Sequence, residues 1–162
     1  MRNYEWLPPS KGAKPLWEGQ MVEKIELENG LILEIWNYSR KLAGDRWLVG
    51  LLIQVGVAPS KSDFSSESYY EAFLEKTDGK VYYRYRKERT FVPEDAVSEI
   101  FNTLKENFLN VAVPYLSHPD FRDRLIKQEV ALFEKRIDWE NWRQRKREEE
   151  EEIEKNWDRD YI

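Results

Sequence analysis

The chain has 162 residues, of which 41% are hydrophobic, 14% aromatic and 35% charged; it has no cysteine, a single histidine (His118) and a formal net charge of −5. That length suits one domain of the usual ~100–200 residues, and the aromatic share excludes a chain too poor in bulky apolar groups to build a core. The missing cysteines and lone histidine exclude disulfides, thiolate chemistry and a multi-histidine metal centre, whereas the mild negative charge counts against a general nucleic-acid binder but not against a local basic patch.

The first twenty residues form a proline-interrupted arm. Tyr4, Trp6 and Leu7 precede Pro8 and Pro9, and Trp17 follows Pro15; the prolines prevent regular structure across the segment. The expectation is an arm that packs its tryptophans on the body; the alternative is a partner-binding arm, since proline-rich segments adopt extended docking conformations. The opening MRNYEWLPPSKGAKP has no apolar stretch of the kind a signal peptide carries. The longest apolar run, Trp47 to Val57, is broken by Gly50, Gln54 and Gly56, and is far short of the ~20 residues of a membrane helix. A cytoplasmic protein that makes no membrane contact is therefore expected.

Residues 21–92 read as a sheet. Val22 to Glu28 and Leu31 to Tyr38 flank Asn29-Gly30. A two-residue turn would set Ile25 opposite Glu34 and put a charge on the apolar face. A three-residue loop, Glu28-Asn29-Gly30, instead pairs Leu27 with Leu31, Ile25 with Leu33, Glu23 with Ile35 and Lys24 with Glu34. Gly30 then takes the left-handed position of a bulged turn. A one-residue slip would turn every side chain over, so the hydrophobic pattern selects the three-residue loop. Arg46 to Val57 is apolar on both faces, which predicts a central strand. Its glycines predict a bend, a bulge or a close approach by another group. Pro59 to Glu67 reads as a loop. Tyr70 to Thr77 and Lys80 to Arg89 flank Asp78-Gly79, a hairpin signal. That hairpin would set Leu74 beside Tyr83 and Ala72 beside Tyr85 on the core face, with Phe73 opposite Arg84 and Glu71 opposite Arg86 outside.

The chain changes character near Pro93. Residues 1–93 carry 14 Lys/Arg against 13 Asp/Glu, and residues 94–162 carry 12 against 18, with no glycine. Period two gives way to period 3.6. Pro93 suits a first helical position, with Glu94 and Asp95 beside the positive end of the dipole. Val97, Ile100, Phe101, Leu104, Phe108 and Val111 form an apolar stripe, and Pro114 is expected to end that helix. Ser117 is expected to cap the next, whose stripe is Phe121, Leu125, Ile126, Val130, Phe133 and Ile137. The fold class is thus α+β: a curved antiparallel sheet of about five strands, then two helices over residues 93–142, within one domain spanning 21–142.

Residues 143–162 form a charged helical or frayed tail. Here RQRKR precedes EEEEE. One helix from Pro119 to Trp157 would be ~58 Å long, about twice the expected size of the domain. It would overhang, bend or meet a second chain. Trp139, Trp142 and Trp157 are accordingly candidates for a homodimer contact or a partner surface.

The other candidate surface is the basic-aromatic strand 82–89. Arg84 and Arg86 interleaved with tyrosines could track phosphates while bases stack, and Arg40 and Lys41 would enlarge the patch if their loop folds towards it. Enzyme signatures are poor. His118 is the sole histidine base, no Gly-x-Ser-x-Gly elbow or phosphate loop occurs, and the 31 acids show no distinctive spacing. No cofactor is expected. The leading expectation is a non-catalytic binding or adaptor module. The alternatives are a nucleotide or single-stranded nucleic-acid binder on strand 82–89, and an enzyme with a carboxylate-based site.

Overall fold

The computed structural model describes residues 19–160; the expected N-terminal arm and the last two residues lie outside the described residues. Five antiparallel strands form one open sheet: β1 (Gln20–Glu26), β2 (Ile32–Asn37), β3 (Arg40–Ala43), β4 (Arg46–Val57) and β5 (Val81–Pro93). Helix α1 (Glu67–Lys76) precedes β5, and α2 (Val97–Leu116) and α3 (Phe121–Asp160) follow it.

The β1–β2 hairpin has the register its hydrophobic alternation demands. Glu23 faces Ile35, Lys24 faces Glu34 and Ile25 faces Leu33. Leu27 N donates to Leu31 O at 2.8 Å, and Gly30 sits at φ +83°, where a residue without Cβ is least strained. Asn29 then links distant parts of the chain: its side-chain amide donates to Leu116 O (2.8 Å) and His118 O (3.1 Å) at the α2–α3 corner.

Strand β4 is central. β5 runs along one edge over its whole length, while β2 pairs with Leu51–Val55 and β3 with Arg46–Leu48 on the other. β3 thus continues the line of β2 after a break at Tyr38-Ser39. The third strand read from the sequence matches β4, but β3 itself was expected to be loop. Its four residues are all exposed, so no apolar alternation marked it.

The second expected hairpin is absent. Residues assigned there to a strand form α1, so the pairings of Leu74 with Tyr83 and Ala72 with Tyr85, and of Phe73 with Arg84 and Glu71 with Arg86, do not occur. The partner of β5 is β4. Tyr69, Tyr70 and Phe73 recur at helical spacing and all pack into the core, where Phe73 is 2% exposed. Thr77 closes the helix: its hydroxyl donates to Phe73 O at 2.7 Å. Asp78-Gly79 is therefore a helix-to-strand turn, with Gly79 at φ +85°.

Helices α2 and α3 cover one face of the sheet, and α1 packs against α3. Tyr85 stacks on Phe108 of α2 at 4.3 Å between centroids, Tyr83 meets Phe121 of α3 edge-on at 5.8 Å, and Phe73 meets Phe133 at 5.2 Å. Every member of the expected α3 stripe from Phe121 to Ile137 is buried. On α2 the buried positions are Phe101, Leu104, Phe108 and Leu116, whereas Val111 is exposed. Successive four-residue steps carry the contact through Ala112 and leave Val111 on the outer side. Pro114 does not end α2, which continues to Leu116 with Ser117 N bonded to Val113 O at 2.9 Å. Ser117 closes α2 rather than capping α3. The α3 start is set by Asp120, whose carbonyl accepts from Arg124 N (3.1 Å) and whose own N–H donates to His118 Nδ1 (3.1 Å).

Candidate functional site

Side chains alternate between the faces of a strand, so one parity of β2, β4 and β5 turns away from the helices. Cross-strand rungs on this outer face run Glu34–Gln54–Arg84 and Trp36–Leu52–Arg86. Gly50, opposite Glu88, receives Tyr38 beside it through the bond from Tyr38 N to Gly50 O (3.0 Å). Tyr38, Leu48 and Leu52 form a small buried cluster with Trp36 against it. Two glycines make room for aromatic rings here. A Cβ on Gly50 would overlap the Tyr38 ring, and one on Gly56 would lie 2.8 Å from the Tyr82 ring.

The charged groups of this face are tied to one another. Trp36 Nε1 and Gln54 Nε2 both donate to Glu34 Oε2, at 3.0 and 2.9 Å. Arg84 Nε donates to Gln54 Oε1 at 3.0 Å, and its guanidinium lies 4.3 Å from the centre of the Tyr82 ring. Tyr82 OH donates to Asp78. Arg86 Nε donates to Tyr38 OH at 3.2 Å, and its Nη2 pairs with Glu88 Oε1 at 2.8 Å, which also accepts from Tyr38 OH at 2.8 Å. Burial pushes the Tyr38 phenol up to about 12; the Arg86 hydrogen bond opposes this and the Glu88 bond adds to it. Burial and the Asp78 hydrogen bond likewise raise Tyr82. Burial lowers Arg84, whereas for Arg86 the bonds to Tyr38 and Glu88 outweigh burial and raise it.

This network suits stiffening of a sheet better than chemistry. Tyr38 is held neutral, so it is no phenolate nucleophile at neutral pH. Arg84 and Arg86 share the face, as the sequence indicated, but their neighbours are Gln54 and Tyr82, and Tyr38 and Glu88. Arg40 stands opposite Leu48 on this same face, two rungs from Arg86 with Glu88 on the rung between. Lys41 stands opposite Trp47, so alternation places it on the other face. The structure therefore does not gather the four basic candidates into one patch. Tyr38 and Gln54, which hold the two arginines, and Glu34, which holds Gln54, went unselected in the sequence. Their parity with Trp36 was the available signal.

The second surface lies on α3. Its first half is fastened to the body beyond the buried stripe: Ser65 N and Oγ both donate to the Glu134 carboxylate at 2.7 Å, Tyr69 OH to Asp138, and Lys76 pairs with Glu140 at 3.0 Å. From residue 141 to 159 every described residue is exposed. The large apolar groups there are not scattered. At ~100° per residue, Trp139, Trp142, Ile153 and Trp157 fall within about 60° of one another around the helix axis. They are 54%, 51%, 56% and 60% exposed. Their sector lies roughly 150° round from the centre of the stripe Phe121–Ile137. The apolar face thus changes sides near Trp139, away from the sheet. The Arg143 guanidinium covers part of the Trp139 ring, 4.7 Å from its centre. Ile153 joins the three tryptophans singled out in the sequence; its spacing of eleven residues from Trp142, three helical turns, was the signal.

No helix among the described residues is long and apolar enough to cross a membrane. Compared with family models, with curated proteins and with solved structures, the chain matches none of them.

Proposed function

We propose that this is a cytoplasmic, non-catalytic protein-binding module whose α+β body holds out the second half of α3 as a docking helix. One observation carries this reading: Trp139, Trp142, Ile153 and Trp157 are exposed along a single side of α3, opposite the side that packs on the body. A helix that served only as a solvated tail would gain nothing from aligned tryptophans. Apolar surface rimmed by charge is the ordinary signature of a protein contact, and tryptophan is prominent among residues that anchor such contacts.

The alternatives find less support. A nucleic-acid site on strand 82–89 needs cations turned to the ligand, but Arg86 is paired with Glu88 and Arg84 is engaged by Gln54. A carboxylate enzyme needs two acids that converge, but Glu34 and Glu88 stand two rungs apart, each engaged in its own cluster.

The test is site-specific photocrosslinking in the cells of origin. A photoreactive residue replacing Trp142 or Ile153 is expected to give a discrete adduct, and one replacing Gln144 or Glu151, on the opposite side of the helix, none. Absence of adducts from Trp142 and Ile153, or equal adducts from all four positions, would overturn the reading.

A further inference from the structure

The order of charges beside the stripe identifies a partner. The five residues Arg143–Arg147 hold four cations, and Glu148–Glu152 are all acidic. Within a single helix this order is unfavourable. The macrodipole favours acids towards the N-terminus and bases towards the C-terminus, and base-before-acid is the weaker orientation for i,i+4 pairs. Between the two blocks, Lys146 contacts Glu149 at 3.8 Å and Gln144 bonds Glu148 at 3.0 Å, both on the exposed surface. Neither explains why the blocks are segregated.

An antiparallel copy of the same helix does explain it. Placing a two-fold axis between Arg147 and Glu148 sets residue i against residue 295 − i of the second copy. Trp142 then lies opposite the second copy's Ile153, and Trp139 opposite its Asn156 and beside its Trp157. Between these apolar ends, Lys146 faces Glu149 of the other chain on the stripe itself and Arg145 flanks it opposite Glu150, each contact occurring twice, as an isologous interface requires. A parallel pair would instead set cations against cations and acids against acids. With three half-exposed tryptophans and one isoleucine, each copy would contribute on the order of 500 Å² of apolar surface. Two copies together just reach the ~1,000 Å² expected of a specific contact, which describes a reversible complex rather than an obligate one.

We propose that the docking helix binds a second copy of this chain, antiparallel, through the face carrying Trp139, Trp142, Ile153 and Trp157, with the basic and acidic blocks fixing the orientation. This inference rests on the docking reading above and names its partner.

Sedimentation equilibrium of the full chain tests it. At low salt and tens of micromolar the mass is expected to approach twice the 19.6 kDa of one chain, and to fall back towards one chain at high salt. Trp142→Ala/Ile153→Ala is expected to remain monomeric over the same range, with its circular dichroism retained because both residues are exposed. Arg145→Glu/Lys146→Glu and Glu149→Lys/Glu150→Lys are each expected to weaken self-association at least tenfold, and an equimolar mixture of the two to restore it. Because the chain lacks cysteine, orientation can be read directly: Glu149→Cys should form an interchain disulfide under mild oxidation and Asn156→Cys should not. A wild-type chain monomeric at several hundred micromolar, charge variants that associate like wild type, or ready crosslinking at Asn156→Cys would overturn the proposal. A monomeric chain whose photoadducts join it to a different protein would overturn the second copy alone and leave the docking helix standing.

Discussion

Gly50 and Tyr38 show how much one residue can decide on the outer face. The ring of Tyr38 lies where a side chain at residue 50 would have to be, and its hydroxyl is fixed between Arg86 and Glu88. The ring cannot simply swing aside. Gly50→Ala is therefore expected to destabilise the fold by about 1–3 kcal/mol, the usual cost of overpacking. In a Tyr38→Ala background the same change should cost much less, a coupling that urea unfolding of the four chains would measure. The pH dependence of Tyr38 follows from its raised pKa. Below pH ~10 the phenol is neutral in both folded and unfolded chains. As pH rises from there towards about 12, the unfolded chain releases the proton while the folded one retains it, so this contribution to stability is lost. Unfolding free energies measured from pH 9 to 12 should fall less steeply in Tyr38→Phe than in the wild type. An equal slope would show that Tyr38 is not the group responsible.

Helix α1 is where elements and propensities part. Tyr69, Tyr70 and Phe73 favour strands by composition, and Asp78-Gly79 supplies a hairpin turn signal, so a strand was the natural expectation for residues 70–77. The competing helical spacing prevailed because it places Phe73 among Phe64 and Phe133, at 5.2 Å from each ring. Beyond α1, β5 then comes to the free edge of β4 and needs no hairpin partner of its own. Phe73→Ala is expected to cost about 3–5 kcal/mol, as for other buried aromatics, whereas Leu74→Ala, at an exposed position, should cost far less; if residues 70–77 formed a strand with Leu74 inward, that order would reverse. The first hairpin was legible for the opposite reason. Its turn glycine, its alternation and the conflict at Glu34 all bear on neighbours within a dozen residues. β3 was not legible, since an exposed four-residue strand carries no burial pattern.

At the scale of the molecule the division is between a body with a continuous core and a helix that outruns it. Residues 121–137 of α3 supply buried side chains, and contacts with the segment around α1 reach as far as Glu140. Past that point nothing described is buried. Deleting residues 141–162 is therefore expected to leave the melting temperature of the dilute chain within about 2 °C of the full chain, since the described positions it removes, 141–159, are all exposed and such positions contribute little, while lowering its helical circular dichroism. A large loss of stability would mean that the extension packs on the body. The candidate site divides in the same way: the tryptophans of the tail were visible as isolated apolar residues in a charged run, but Arg40, Lys41, Arg84 and Arg86 could not be sorted into faces until the neighbours of β4 were known.

Short-range pattern alone determined the β1–β2 register, the extent of β4, the α3 core stripe and the opposed blocks of charge near the C-terminus. Each depends on periodicity or on residues close in sequence, which local sterics and burial fix without reference to distant parts of the chain. Tertiary structure decided that residues 67–76 are helical, that β5 belongs to β4, and that the outer-face arginines are held by Gln54, Tyr38 and Glu88. It also decided that the tryptophan stripe turns away from the body. These outcomes depend on which surfaces meet across scores of residues, and a local pattern that fits both a helix and a strand cannot choose between them until a core exists to reward one.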